Sequence, residues 1–265
     1  MKIAVCVKQV PDTEARLRVN REGTWIEEED VPFVLNESDE YAVEEALRLA
    51  ESTGGEVVAF SLGPDRTREA IRKVLALGAS RAVALTDPAL QGGDALATGR
   101  ALAAAIRAEG VDLVVTGSQS GDLGYAATAS VIAGELGWPH AWLVMGVELE
   151  AGNHAMRIKR EMEGGVNESS RLSLPAVIEV QAGINHPRYA SLKGIMAAKK
   201  KEIADRSAAD LGLDPARVGR AGSRVETVAV ALPESGREVV WIEGDPSAMA
   251  KVLIEKLQNE ARVLR

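Results

Sequence analysis

Four short apolar runs, each followed by a stretch of helical period, constrain this chain more than any other feature. Residues 2–7, 57–60, 82–85 and 113–115 are apolar and rich in β-branched or small side chains, the pattern of strands buried on both faces. Helices are expected over about 39–51, 66–77, 94–109 and 125–136. In the first, Ala42, Val43, Ala46, Leu47 and Ala50 recur at helical spacing. Asn36 or Ser38 supplies its N-cap, and Gly54-Gly55 stops it. Strands joined by crossover helices run parallel, with right-handed crossovers. The expected fold class is therefore α/β: an open, mainly parallel sheet with helices on both faces.

Three additions are expected. Leu17-Arg18-Val19-Asn20 and Thr24-Trp25-Ile26 alternate around Arg21-Glu22-Gly23 as a hairpin does. Past Trp138, segments near 142–149, 155–162 and 176–181 read as antiparallel additions to the sheet, with Glu150-Ala151-Gly152-Asn153 as a turn. Beyond Pro187 the chain turns basic, then polar and loop-rich to about 223. A strand near 225–231 and a helix near 246–262 close it. The division expected is 1–190 for the α/β domain and 191–265 for a short helix and a C-terminal arm that lies on something else.

Composition excludes several classes. Of 265 residues, 46% are hydrophobic, enough for a sizeable core, and 26% are charged. The net charge of −8 argues against general nucleic-acid binding. No apolar stretch reaches the roughly 20 residues needed to cross a bilayer, so no membrane insertion is expected. Residues 1–7 read as a first strand and not as a signal peptide. Cys6 is the single cysteine, so no intrachain disulfide forms, which fits a reducing, cytoplasmic location. Within its apolar run the thiol is expected to be buried and inert. His140, His154 and His186 show no metal-ligand spacing, and no metal site is expected.

One candidate ligand site stands out. Gly117-Ser118-Gln119-Ser120-Gly121-Asp122-Leu123-Gly124-Tyr125-Ala126-Ala127-Thr128 follows a predicted strand and opens a predicted helix. Glycines let backbone approach a phosphate, and free N–H groups at a helix start favour an anion. The same residues also make an ordinary glycine-rich turn, and the two readings stand even. Neither the phosphate-loop lysine motif nor the spaced-glycine dinucleotide fingerprint is present. Asn36, Glu37, Ser38 and Asp39 fall at the same sheet edge, as do Ser61, Leu62, Gly63 and Pro64. Three loops converging at strand ends suit a nucleotide.

Two segments suit contact with partners instead. Arg160-Glu161-Met162-Glu163-Gly164-Gly165 reads either as a turn between strands or as a charged loop facing a partner. In Asn185-His186-Pro187-Arg188-Tyr189-Ala190-Ser191-Leu192-Lys193-Gly194-Ile195-Met196-Ala197-Ala198-Lys199-Lys200-Lys201, Ser191 is placed to cap a short helix. Leu192, Ile195 and Met196 share one face beside the lysines. That is either a helix buried on its own domain or an exposed apolar anchor with a basic rim.

Taken together, residues 185–192 with Met196 and the lysine run, Ala42-Val43-Glu44-Glu45-Ala46, and Arg160-Glu161 with Gly164-Gly165 resemble the β subunit of electron-transfer flavoproteins. The resemblance implies a fold related to adenine-nucleotide α hydrolases and an α-subunit partner that holds the redox-active FAD. It implies a structural AMP here, at positions matching Cys6, Asn36, Glu37, Ser38, Asp39, Leu62 and the loop from Gly117 to Thr128. Leu192 matches a leucine that docks into acyl-CoA dehydrogenases, with Arg188, Tyr189, Ile195, Met196, Lys199 and Lys200 around it. Glu161, with Arg160, matches a glutamate that helps hold the flavin domain. The implied role is an electron carrier subunit, not an enzyme, passing electrons from flavin-containing dehydrogenases of fatty acid oxidation towards the respiratory chain. Two rivals share parts of the pattern: an electron-bifurcating subunit that binds a second FAD in place of AMP and oxidises NADH, and a free-standing stress-type nucleotide-binding module.

Overall fold

A computed structural model describes residues 1–233 and 239–264. The chain divides into two units, Met1–Ala229 and Val230–Arg265. The first contains β1 (Lys2–Cys6), β2 (Gln9–Pro11), β3 (Phe33–Leu35), β4 (Glu56–Leu62), β5 (Arg81–Leu85), β6 (Leu113–Gly117), β7 (His140–Leu149), β8 (Ala155–Glu161), β9 (Asn167–Ser173), β10 (Ala176–Val180) and β11 (Ile203–Asp205). Its helices are α1 (Glu37–Thr53), α2 (Thr67–Leu77), α3 (Ala95–Glu109), α4 (Thr128–Leu136), α5 (Leu192–Ala198) and α6 (Gly219–Gly222). The second unit holds α7 (Pro246–Asn259), capped by the Asp245 side chain through the amides of Ser247 and Ala248. Among the described residues no helix is long and apolar enough to cross a membrane.

Nine strands form one sheet in the order β11-β5-β4-β1-β6-β10-β7-β8-β9, and β2 pairs with β3 in a separate antiparallel ribbon. The sheet is parallel from β11 through β7, and the expected α/β class holds. Alternation along β1 feeds two cores. Ile3 and Val5 pack with Val43, Leu47, Ile71 and Val74 of α1 and α2. Ala4 and Cys6 pack on the other face with Leu102, Ile106 and Ile132 of α3 and α4. Helix ends follow local chemistry: Gly54, Gly110 and Gly137 adopt the left-handed conformation that closes α1, α3 and α4.

Several expectations need correction. Residues 176–180 are not an antiparallel addition: β10 lies between β6 and β7 and is parallel to both. All five of its residues are buried, which a polar-faced edge strand would not show. The antiparallel additions are β8 and the unanticipated β9, whose polar run Asn-Glu-Ser-Ser-Arg-Leu-Ser alternates exposed and half-buried. No strand forms over 225–231, although its residues alternate; Val225 and Val228 stand exposed. A short strand, β11, instead joins the sheet beside β5 from within the polar stretch. The early hairpin is reduced to a single antiparallel bridge between Val19 and Ile26.

Phe60, fully buried on β4, is the largest side chain of the second core. Phe60→Ala should lower stability by about 3–5 kcal/mol, because the rigid sheet cannot collapse into the void. Urea unfolding checks this; a loss under about 1 kcal/mol would mean that the core relaxes around the gap.

Candidate functional site

The strand order reverses between β1 and β6, which leave that point towards β4 and β10 respectively. In open α/β sheets the crevice beyond the carboxyl ends of two such strands is where ligands bind. A cavity of about 550 Å³ opens there, between Cys6 at the end of β1 and Gly117 at the end of β6. That volume falls within the usual range for small-molecule sites.

The amino end of α1 meets the loop after β6 at this edge. Asn36 occupies the N-cap position of α1, yet its side chain makes no capping bond. Its Nδ2 donates to the Gln119 carbonyl at 2.9 Å and to Ser38 Oγ at 2.9 Å, and its Oδ1 accepts from the Gly121 amide at 2.9 Å. Ser38 Oγ adds a 2.6 Å bond to the same Gln119 carbonyl. Close approach at Gly117 permits this lock. A Cβ there would fall 2.5 Å from both Asp39 Oδ1 and Ser38 Oγ.

The structure brings most of the expected binding residues to one place. Cys6, Asn36, Asp39, Leu62, Gly117, Ser118, Gln119, Ser120, Asp122, Leu123, Tyr125, Ala126, Ala127 and Thr128 all line this one cavity. Glu37, Ser38, Gly121 and Gly124 do not; Ser38 and Gly121 serve the lock behind it. The helix after the loop begins at Thr128, three residues later than its periodicity suggested, so residues 125–127 remain loop. Ala127, at the N-cap of α4, provides no side-chain cap, which leaves the first amides of that helix without an intrahelical partner. Small side chains at Ala126, Ala127 and Ala129 keep the approach open. This end suits one anionic group, and apolar Val7, Leu62, Pro64 and Leu102 line other parts of the cavity. This combination of volume, apolar wall and free helix end suits a small ligand that carries one anionic group.

Charged residues missed by the sequence also line the cavity. Lys8 Nζ sits 2.6 Å from Asp122 Oδ1. Burial alone would raise the Asp122 carboxyl, but the Lys8 charge overrides it and holds the group below its usual range. Arg66 pairs with Glu28 at 3.1 Å and lies 3.7 Å above the Phe33 ring. Asp39 is buried and pushed up to about 7; the Lys8 amide at 2.8 Å opposes that rise without cancelling it. Burial also raises the Cys6 thiol, with the Asp39 charge adding to it, so the thiol is protonated and inert as expected. Glu179 on β10, only 5% exposed, is pushed up to about 7 by burial alone. Its signal in the sequence was a lone carboxylate inside the apolar run Ala-Val-Ile-Glu-Val.

A second cavity, about 820 Å³, adjoins the first. It is lined by His140, Trp142, Leu143 and Gln181, and shares Ser118, Gln119, Ala126 and Glu179 with its neighbour. Arg160 stacks 5.2 Å from the Trp142 ring and pairs with Glu168 at 3.0 Å. Arg160 and Glu161 are the last two residues of β8, with Glu161 exposed, and residues 162–166 form the turn into β9. Among the described residues no cluster of His, Cys, Asp or Glu is arranged to hold a metal ion.

The segment from 185 to 201 is bolted to the helices behind it. Asn185 Nδ2 donates to the Tyr41 carbonyl and to Glu45, both at 3.0 Å. Arg188 turns back onto α1, where Glu44 accepts from Nε at 2.7 Å and Glu51 from Nη1 at 2.5 Å. These bonds to Glu51 and Glu44 raise the guanidinium pKa further and lower that of Glu51. Ser191 caps α5 through the Gly194 amide at 3.0 Å. Lys201 Nζ is bound by the carbonyls of Leu75 and Ala79 at the end of α2. Tyr189 is 98% exposed, Leu192 82% and Met196 60%; Ile195, Lys199 and Lys200 are exposed beside them. A helix packed on its own domain would bury that face, and this one does not.

The family profile described as "Electron transfer flavoprotein domain" matches residues 23–211. The chain belongs to the electron transfer flavoprotein family, among its β subunits. It is similar to "Electron transfer flavoprotein subunit beta" of Methylophilus methylotrophus, 42% identical over 257 residues, covering 96% of this chain and 97% of the relative. The subunit of that name from Mycobacterium tuberculosis is 39% identical over 92% of this chain and 93% of its own length. The one from Thermoanaerobacterium thermosaccharolyticum is 35% identical over 98% of each.

Because burial raises Glu179, its contribution to stability is intact below 4.5 and is lost as pH rises through about 7. Glu179→Gln removes that loss. The melting temperature of the variant relative to the parent should therefore climb as pH rises from 4.5 to about 7. A difference independent of pH would contradict the burial of this carboxyl.

Proposed function

We propose that this chain is the small subunit of a heterodimeric electron carrier, pairing with an α subunit that holds the redox-active FAD. In this reading it accepts electrons by way of flavin-containing dehydrogenases, such as acyl-CoA dehydrogenases, and passes them towards the respiratory chain. A structural AMP occupies the cavity between β1 and β6, its phosphate at the amino end of α4. The flavin supplies the electron chemistry when bound. The residues described here supply no general base or nucleophile, and their task is to bind, orient and recognise.

The observation that carries this reading is the exposed apolar face of α5 on an immobilised mount. Tyr189, Leu192 and Met196 project from a segment whose backbone is fixed by Asn185, Arg188 and Lys201. Pre-organisation of an apolar anchor lowers the ordering cost of association. The lysines at 199 and 200 steer an acidic partner and act chiefly on encounter rate. A free-standing nucleotide-binding module has no use for such a mount. In this reading Glu161, exposed at the end of β8, contacts the flavin-bearing partner.

Co-expression with an α subunit of the same family, followed by cofactor extraction, tests the reading. One FAD and one AMP per heterodimer are expected; two FAD would establish the bifurcating alternative, and a stable chain without flavin partner the stand-alone one. In that heterodimer, Leu192→Ala should leave flavin content unchanged and reduce electron transfer from a flavin dehydrogenase at least tenfold, about 1.4 kcal/mol of lost docking energy. Stopped-flow reduction of the carrier measures it, and an unchanged rate would remove Leu192 from the docking surface.

A further inference from the structure

Helix α5 has seven residues, too few to hold its own direction without neighbours. Its two sides differ. Leu192, Ile195 and Met196 are exposed. Gly194 and Ala198, four residues apart and so on one face, turn inward. Ala198 is buried in the core that α2 also packs into. A Cβ on Gly194 would overlap the Ala76 carbonyl of α2, so only glycine lets the two helices approach this closely.

Two cations clamp this contact, each on the carbonyl end of the other's helix. Arg72 of α2 donates through Nη1 to the carbonyls of Ala198 at 2.5 Å and Lys201 at 2.8 Å. Lys201, just past α5, donates through Nζ to the carbonyls of Leu75 at 2.9 Å and Ala79 at 2.7 Å. The last carbonyls of a helix have no intrahelical partner, and a cation there also meets the negative end of the helix dipole. Burial holds the Lys201 ammonium below its ordinary pKa. The neighbouring cations of α2 behave differently: Arg68 pairs with Asp205 and Lys73 with Glu40. Among the described residues Arg72 pairs with no carboxylate, and its guanidinium is given to the backbone of the α5 segment.

We propose that Arg72 is a positioning residue for partner recognition: it seats α5 on α2 and so fixes the direction in which Leu192 and Met196 project. This rests on the docking reading of α5 above and deepens it. Arg72 is half-buried on the inner side of α5 and acts through the helix. Without it the Ala198 and Lys201 carbonyls lose their donor, and the apolar face samples more directions. The ordering then has to be met when the partner docks, which weakens association and leaves the flavin untouched.

The test is a double-mutant cycle in the purified heterodimer, used as the varied electron acceptor of a substrate-reduced acyl-CoA dehydrogenase. Arg72→Met keeps the length of the side chain and removes its donors. It should raise the KM for the heterodimer about fivefold, with kcat and flavin content kept. Added to Leu192→Ala, it should raise KM by less than about twofold, because Arg72 acts only by placing that leucine. Gly194→Ala is the second variant should the first fail to assemble. Alanine strengthens the helix itself, so the same rise in KM there reports displacement from α2. A KM unchanged in both variants, or effects that multiply fully with Leu192→Ala, overturns the role of Arg72 while leaving the docking face standing. A parent heterodimer that the dehydrogenase does not reduce, or a KM unmoved by Leu192→Ala alone, overturns the docking reading and this inference with it.

Discussion

Asn36 abandons the usual work of a helix-capping side chain to grip the loop after β6, and the arrangement of the sheet edge follows from that grip. Its amide and carbonyl together hold Gln119 and Gly121, and Ser38 seconds the bond to Gln119. The grip requires α1 to approach β6 more closely than any side chain at position 117 would allow. Once the loop is fixed there, α4 starts with its free amides towards the cavity. The buried Asp39 is part of the same junction, accepting the Lys8 amide two residues past the end of β1.

Helix α1 thus carries two jobs on different parts of its surface. Its first turn builds the cavity, and its flank, through Tyr41, Glu44, Glu45 and Glu51, holds the segment that presents Leu192. The second helix shares the load, since Arg72 donates to the carbonyls of Ala198 and Lys201, and Lys201 reaches back to its end. A ligand site and an apolar anchor are therefore mounted on one rigid element without sharing side chains. This separation matches the proposed division of labour between holding a nucleotide and recognising a partner.

Much of this was legible in the sequence because it is local. Strand–helix alternation, the glycine-rich turn and the Ser191 cap each depend on residues within a few positions of one another. Sheet order is not local, so the sequence pattern leaves the direction of β10 open, although its wholly apolar character, save Glu179, suits a buried parallel strand. The alternation over 225–231 misleads for a different reason: Val225 and Val228 face solvent, and no strand among the described residues pairs with the stretch. Lys8 and Arg66 went unread because each reaches the cavity from a separate strand end, and only the fold brings them to their carboxylate partners. Arg188 illustrates the limit of charge patterning. Its position suggested a docking contact, yet its guanidinium is turned inward onto Glu44 and Glu51.

The central claim is that the two ends of this design are separable and that Asn36 organises only one of them. Hydrogen exchange on Asn36→Ala in the heterodimer addresses it directly, because Asn36 does not cap α1 and its loss leaves that helix intact. The amides of residues 119–131 should lose protection, while those of 192–198 keep theirs. Unchanged protection in the loop, or a loss that spreads to α5, would contradict the account.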